Sequence, residues 1–140
     1  MKRLTILLLA LFVAAATVGL YSCKKQGLET PFTRMFGKWK KVKYATDDNR
    51  NGVIDPKEIM VVESSVKNEL LFKPDSTGVE SSTSSPDLSF KWKIYDGTSV
   101  LIQYSANDTI TYSISNISSV DLTLTTMTKL GLAWYYYIKE

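Results

Sequence analysis

The sequence predicts an all-β protein: a small up-and-down antiparallel β-barrel of about eight strands behind a signal peptide and a short tether. Three observations predict it. From Gly37 onward apolar and polar residues alternate with a period of two, the pattern of strands buried on one face. Turn residues interrupt that alternation at intervals of roughly ten positions. Connections this short force sequential antiparallel pairing, and closing such a meander removes its two exposed edges. An open sandwich is the second architecture.

Residues 1–22 read as a lipoprotein signal peptide. Lys2 and Arg3 form a basic head, and Thr5 to Leu20 is an unbroken apolar run. The run approaches the roughly 20 apolar residues of a spanning helix, so a retained anchor is the competing reading. The sequence LYSC, with Leu20, Ser22 and Cys23, resembles a bacterial lipobox, in which the cysteine is lipidated and becomes the mature N-terminus. Tyr21 is bulkier than the residue usual there. Cys23 is thus the expected lipid attachment site, the partner is the membrane, and the expected location is the outer membrane or cell envelope. Cys23 is also the only cysteine. An exported domain without disulfides must be held by a packed core.

Residues 23–35 read as a tether and 36–140 as the barrel domain. Losing Lys2 and Arg3 with the signal removes two of the three net positive charges. No basic field remains to suggest nucleic acid. Histidine is absent, which excludes the Ser-His-Asp and Cys-His arrangements and every histidine metal site. The expectation is a monomeric protein that is not an enzyme.

Strands are predicted near residues 37–45, 67–73, 78–82, 89–95, 99–105, 109–115, 120–126 and 131–139, with a short extra one near 59–63. In FKWKIY, Phe90, Trp92 and Ile94 share one face and Lys91, Lys93 and Tyr95 the other. Ile110, Tyr112 and Ile114 alternate with threonine and serine, and Val120, Leu122 and Leu124 with Asp121, Thr123 and Thr125. In the last strand Leu132, Trp134, Tyr136 and Ile138 oppose Tyr135, Tyr137 and Lys139. Such β-branched and aromatic runs suit half-buried strands. Lys38, Lys40, Lys41 and Lys43 read as the solvated face and edge protection of a terminal strand.

FGKWKKVKY, with Gly37-Lys38-Trp39 at a G-x-W position, resembles the opening strand of a lipocalin. NELLFKPDSTG followed by FKWKIYDGTSVLIQY, with Phe72, Gly78, Trp92 and Ile94, resembles the lipocalin-like domains of Bacteroidetes-type lipoproteins, and AWYYYIKE fits their aromatic last strand. The resemblance implies a barrel that binds or presents something and does not catalyse. It departs from the family in two respects. The paired cysteines many such domains carry are missing, and so is an obvious arginine to lie over the G-x-W tryptophan, only Arg34 and Arg50 being left.

Between the first strands lies DDNRNGVIDPKE, residues 47–58, which matches an EF-hand calcium loop. Asp47, Asn49 and Asn51 offer side-chain oxygens, Val53 its carbonyl, Asp55 a ninth-position oxygen and Glu58 the closing bidentate carboxylate, with Gly52 at the sharp turn. Asp55, Pro56 and Glu58 also read as a helix cap. KWKKVKY ahead of it denies the entering helix, and a plain acidic turn is the alternative. Three carboxylates and neutral Asn49 and Asn51 place any calcium affinity in the weak extracellular range, on the order of 10⁻⁴–10⁻³ M.

Two functions follow: an envelope lipoprotein whose barrel binds a small apolar or glycan ligand, or a structural or interaction lipoprotein with no ligand cavity. How far aromatic side chains fill the barrel discriminates them.

Overall fold

The computed structural model describes residues 29–140. The expected signal peptide and Cys23 lie outside the described residues. The chain runs through a short helix α1 (Pro31–Met35) and strands β1 (Gly37–Thr46), β2 (Ile59–Val61), β3 (Asn68–Phe72), β4 (Thr77–Ser82), β5 (Leu88–Tyr95), β6 (Ser99–Ser105), β7 (Asp108–Ile117), β8 (Asp121–Thr128) and β9 (Gly131–Lys139).

Neighbouring strands pair antiparallel from β3 to β9, and β1 pairs with both β3 and β9. Eight strands therefore close a barrel. The short β2 lies outside it, on the second half of β1 through Lys43↔Val61 and Ala45↔Ile59. The turns have the chemistry expected of them. Asp96 and Gly97 both adopt left-handed φ, 46° and 74°, as a D-G hairpin requires.

One end of the barrel is packed solid. Met35, Trp39, Phe72, Phe90, Trp92, Val100 and Leu122 are all buried there. Phe72 sits edge-on to Phe90 at 5.5 Å and to Trp92 at 5.2 Å, the arrangement aromatic quadrupoles favour.

The helix α1 is the lid of this end. Thr30 and Thr33 form a reciprocal cap and Pro31 opens the helix. Met35 goes fully into the core, and Phe32 stacks on Trp92 at 5.1 Å. Residues 31–35, read from sequence as the last part of a polar tether, thus form a helical plug.

The lysines of β1 divide unexpectedly. Strand β1 is hydrogen-bonded on both sides, so it needs no edge protection. Lys38 bridges Glu69 at 3.0 Å and Glu140 at 2.7 Å on the outside. Lys41, two residues past inward-facing Trp39, faces the interior; a bulge at Val42 then shifts the register. A bulge adds one residue and reverses the alternation beyond it.

Candidate functional site

The other half of the barrel is not filled. A cavity of about 290 Å³ lies there, lined by Leu70, Ile102 and Ile110 and by the polar groups Lys41, Glu80, Tyr104, Tyr112, Tyr135 and Tyr137. Leu88, half exposed, and Asp108 stand where it opens. Since a water occupies about 30 Å³ of liquid, the space equals roughly ten waters.

Each side chain is placed by strand alternation. Lys41 follows Trp39 along β1, Glu80 follows Gly78 along β4, and Tyr135 and Tyr137 come from β9 opposite Leu124 and Leu122. The predicted face sets of β9 are correct, but the tyrosine and lysine set is the inner one. Trp134, Tyr136 and Ile138 face outward.

The polar groups form one network with open ends. The Tyr104 hydroxyl donates a hydrogen bond to Glu80. Lys41 lies over the rings of Tyr135 and Tyr137, with its ammonium 5.0 and 5.8 Å from their centroids. Among the described residues it has no carboxylate at ion-pair distance. Tyr112 meets Tyr135 edge-on at 6.0 Å.

Burial sets the ionisation. Desolvation pulls the Lys41 ammonium below its ordinary pKa, against the opposing pull of Glu80. Desolvation also raises the pKa of Tyr104, Tyr112, Tyr135 and Tyr137, and the Glu80 charge adds to it at each. The four phenols are therefore neutral donors in the physiological range.

A larger hollow, about 590 Å³, lies on the outer face of β4–β6 and takes in Thr77, Val79, Lys91 and Gln103. Those four side chains point outward and bring no comparable set of desolvated ionisable groups together. The interior cavity is the stronger site on chemical grounds.

Lys41, expected on the solvated face of β1, and Glu80, for which no role was expected, both lie inside, where alternation from Trp39 and Gly78 puts them. Tyr135 and Tyr137 share one of the two faces that alternation gives the last strand. The place of the missing arginine is taken by Lys139, whose ammonium lies 4.9 Å over the Trp39 ring and donates to the Arg34 carbonyl at 3.2 Å.

The acidic loop is ordered by its own hydrogen bonds. Asp47 is buried, and its carboxylate accepts from the amides of Asn51 at 3.0 Å and Gly52 at 2.7 Å. Asn49 accepts from the Asn51 amide at 3.0 Å and donates to Asp55 at 2.9 Å, and Asn51 accepts from the Val53 amide at 2.8 Å. Glu58, buried, accepts from the Asp55 amide at 2.8 Å, completing the cap of a 3₁₀ turn at Pro56–Glu58. The loop is seated on the β8–β9 hairpin: the Asp47 amide donates to Leu132 at 2.9 Å. Gly131 has φ +139°, and a Cβ there would fall 2.5 Å from the Asp47 carbonyl; only glycine suits both. All six residues predicted to hold calcium thus belong to one closed loop. Among the described residues, however, no three carboxylates converge as a metal cage.

The chain is similar to a lipocalin-like protein from Bacteroides uniformis, at 15% identity and a TM-score of 0.52, over 76% of this chain and 99% of that one. It is also similar to a bovine odorant binding protein deswapped triple mutant, at 13% identity and a TM-score of 0.44, over 76% of this chain and 74% of that one. A complex of bovine odorant binding protein with a selenium-containing odorant aligns at 13% identity and a TM-score of 0.46, over 84% of this chain and 78% of that one. No protein-family model and no curated protein matches the chain. The fold is a lipocalin-like eight-stranded barrel with one added strand.

Proposed function

We propose that this is an exported, lipid-anchored envelope protein whose barrel binds a small ligand in the polar half of its interior. The observation that carries the binding reading is Lys41 facing an unfilled cavity beside four tyrosines. A desolvated charge without a carboxylate partner costs stability, and a bound ligand offsets that cost. An interior kept only for stability would close with apolar side chains, as the opposite half does. The lipid anchor is supported by the apolar run and by Leu20, Ser22 and Cys23.

Ligand-detected NMR of the purified protein with small phenols and monosaccharides tests the binding reading. At least one class is expected to bind the natural protein and to lose binding in Ile110→Trp, which plugs the cavity near its mouth. Absence of binding, together with a higher melting temperature for Ile110→Trp, would reduce the cavity to a packing defect.

For the acidic loop we propose one weakly held calcium ion. The all-oxygen donor set of Asp47, Asn49, Asn51, Val53, Asp55 and Glu58 suits that hard cation, and the hydrogen bonds of Asp47 and Glu58 already hold the loop curled. Bound calcium would staple the loop to the β8–β9 hairpin. Millimolar calcium at a tenfold excess over Kd is expected to add about 1.4 kcal/mol to stability, read as a rise in melting temperature absent with magnesium or chelator. The rise should vanish in Glu58→Gln; its survival there would leave a plain turn.

A further inference from the structure

We propose that the cavity is built for a small organic acid carrying a hydrogen-bond donor, with its carboxylate on Lys41 and its donor on Glu80. The inference rests on the ligand-binding reading and names the ligand's chemical class.

Lys41 donates no hydrogen bond among the described residues. The rings of Tyr135 and Tyr137 stabilise its charge by cation–π attraction but leave its three N–H groups unspent. Tyr137 is buried, yet among the described residues no buried side-chain nitrogen or oxygen is without a hydrogen-bond partner. Its hydroxyl, which makes no hydrogen bond to those residues, must therefore border open space. Tyr112 and Tyr135 bring two more uncommitted hydroxyls to the same walls. Three N–H groups on Lys41 and one O–H on each of Tyr112, Tyr135 and Tyr137 thus remain free for the acceptors of a ligand.

Charge narrows the class. Among the described residues Lys41 is the one cation lining the cavity; Glu80 is the carboxylate inside it, and Asp108 stands exposed at its mouth. A phosphate dianion, which clustered arginines recognise, would bring two charges to a single lysine beside Glu80. A cationic ligand would meet Lys41 and could pair inside only with Glu80, whose carboxylate already accepts from Tyr104. One negative charge matches one ammonium, and Glu80, which among the described residues accepts a hydrogen bond only from Tyr104, retains lone pairs for a ligand hydroxyl. The volume of about 290 Å³ admits a single ring, and Tyr112 and Tyr135 offer it an aromatic corner.

Titration calorimetry of the purified protein with 4-hydroxybenzoate, 4-hydroxybenzamide and inorganic phosphate tests this. The acid is expected to bind at least tenfold more tightly than the amide, and phosphate not at all. Lys41→Met should erase the preference for the acid, and Lys41→Arg should restore part of it. Acid affinity should also fall as pH rises through the lowered pKa of Lys41; the other ionisable side chains lining the cavity are Glu80, Tyr104, Asp108, Tyr112, Tyr135 and Tyr137. Equal binding of acid and amide, or a preference that survives Lys41→Met, overturns the inference and leaves the ligand-binding reading standing. Binding of none of the three, with Ile110→Trp indistinguishable from the natural protein in the phenol and monosaccharide screen, overturns both.

Discussion

Trp39→Ala is expected to destabilise the domain by about 4 kcal/mol, within the range for removing a fully buried tryptophan. Trp39 is wholly inaccessible to solvent, and its loss removes more than volume. The indole N–H donates to the Met35 carbonyl at 2.7 Å, and the ring carries Lys139 on its face. Both contacts tie α1 and the chain terminus to the packed end of the barrel. Urea unfolding should show the midpoint falling with little change in slope. Trp39→Phe keeps most of the bulk but strands the Met35 carbonyl, a loss of about 1–3 kcal/mol. If Trp39→Ala lost no more than Trp39→Phe, the indole would not be the keystone of this end.

Gly78→Val is expected to cost about 3 kcal/mol, the top of the ordinary range for overpacking, and to lower the melting temperature by roughly 12 °C. Gly78 sits between Phe72 and Phe90 in the strand register. A Cβ there would lie 2.2 Å from the Phe90 ring and 2.6 Å from the Leu71 carbonyl oxygen. The ring can shift; the backbone oxygen cannot without disturbing the β3–β4 ladder. Gly78→Val combined with Phe90→Leu should recover part of the loss, a coupling expected of residues in contact. Additive effects in that double mutant would argue that the strain lies in the backbone alone.

The strands, their order and their turns were legible in the sequence because period-two alternation and turn chemistry are local properties. Closure was legible too, from the edges that an open meander would leave. The acidic loop was recognisable residue by residue, and the capping of the Asp55 amide by Glu58 follows from spacing alone.

Other features depended on contacts between residues distant in the chain. The pairing of β1 with β9 spans nearly the whole domain, so nothing near Lys41 marks that strand as interior to the sheet. Lys139 meets Trp39 only once the barrel has closed, and it fills a role that a search for arginine could not find.

By itself, the sequence determined an all-β lipocalin-like barrel, its strand faces and its acidic loop. Only the tertiary structure decided which face of β9 points inward, that β2 lies outside the barrel, and that α1 plugs one end while Lys41, Glu80 and four tyrosines surround a cavity at the other. The physical reason is that alternation separates two faces without saying which is buried. That choice belongs to the whole barrel: aromatic rings close one half, and desolvated polar groups remain open in the other.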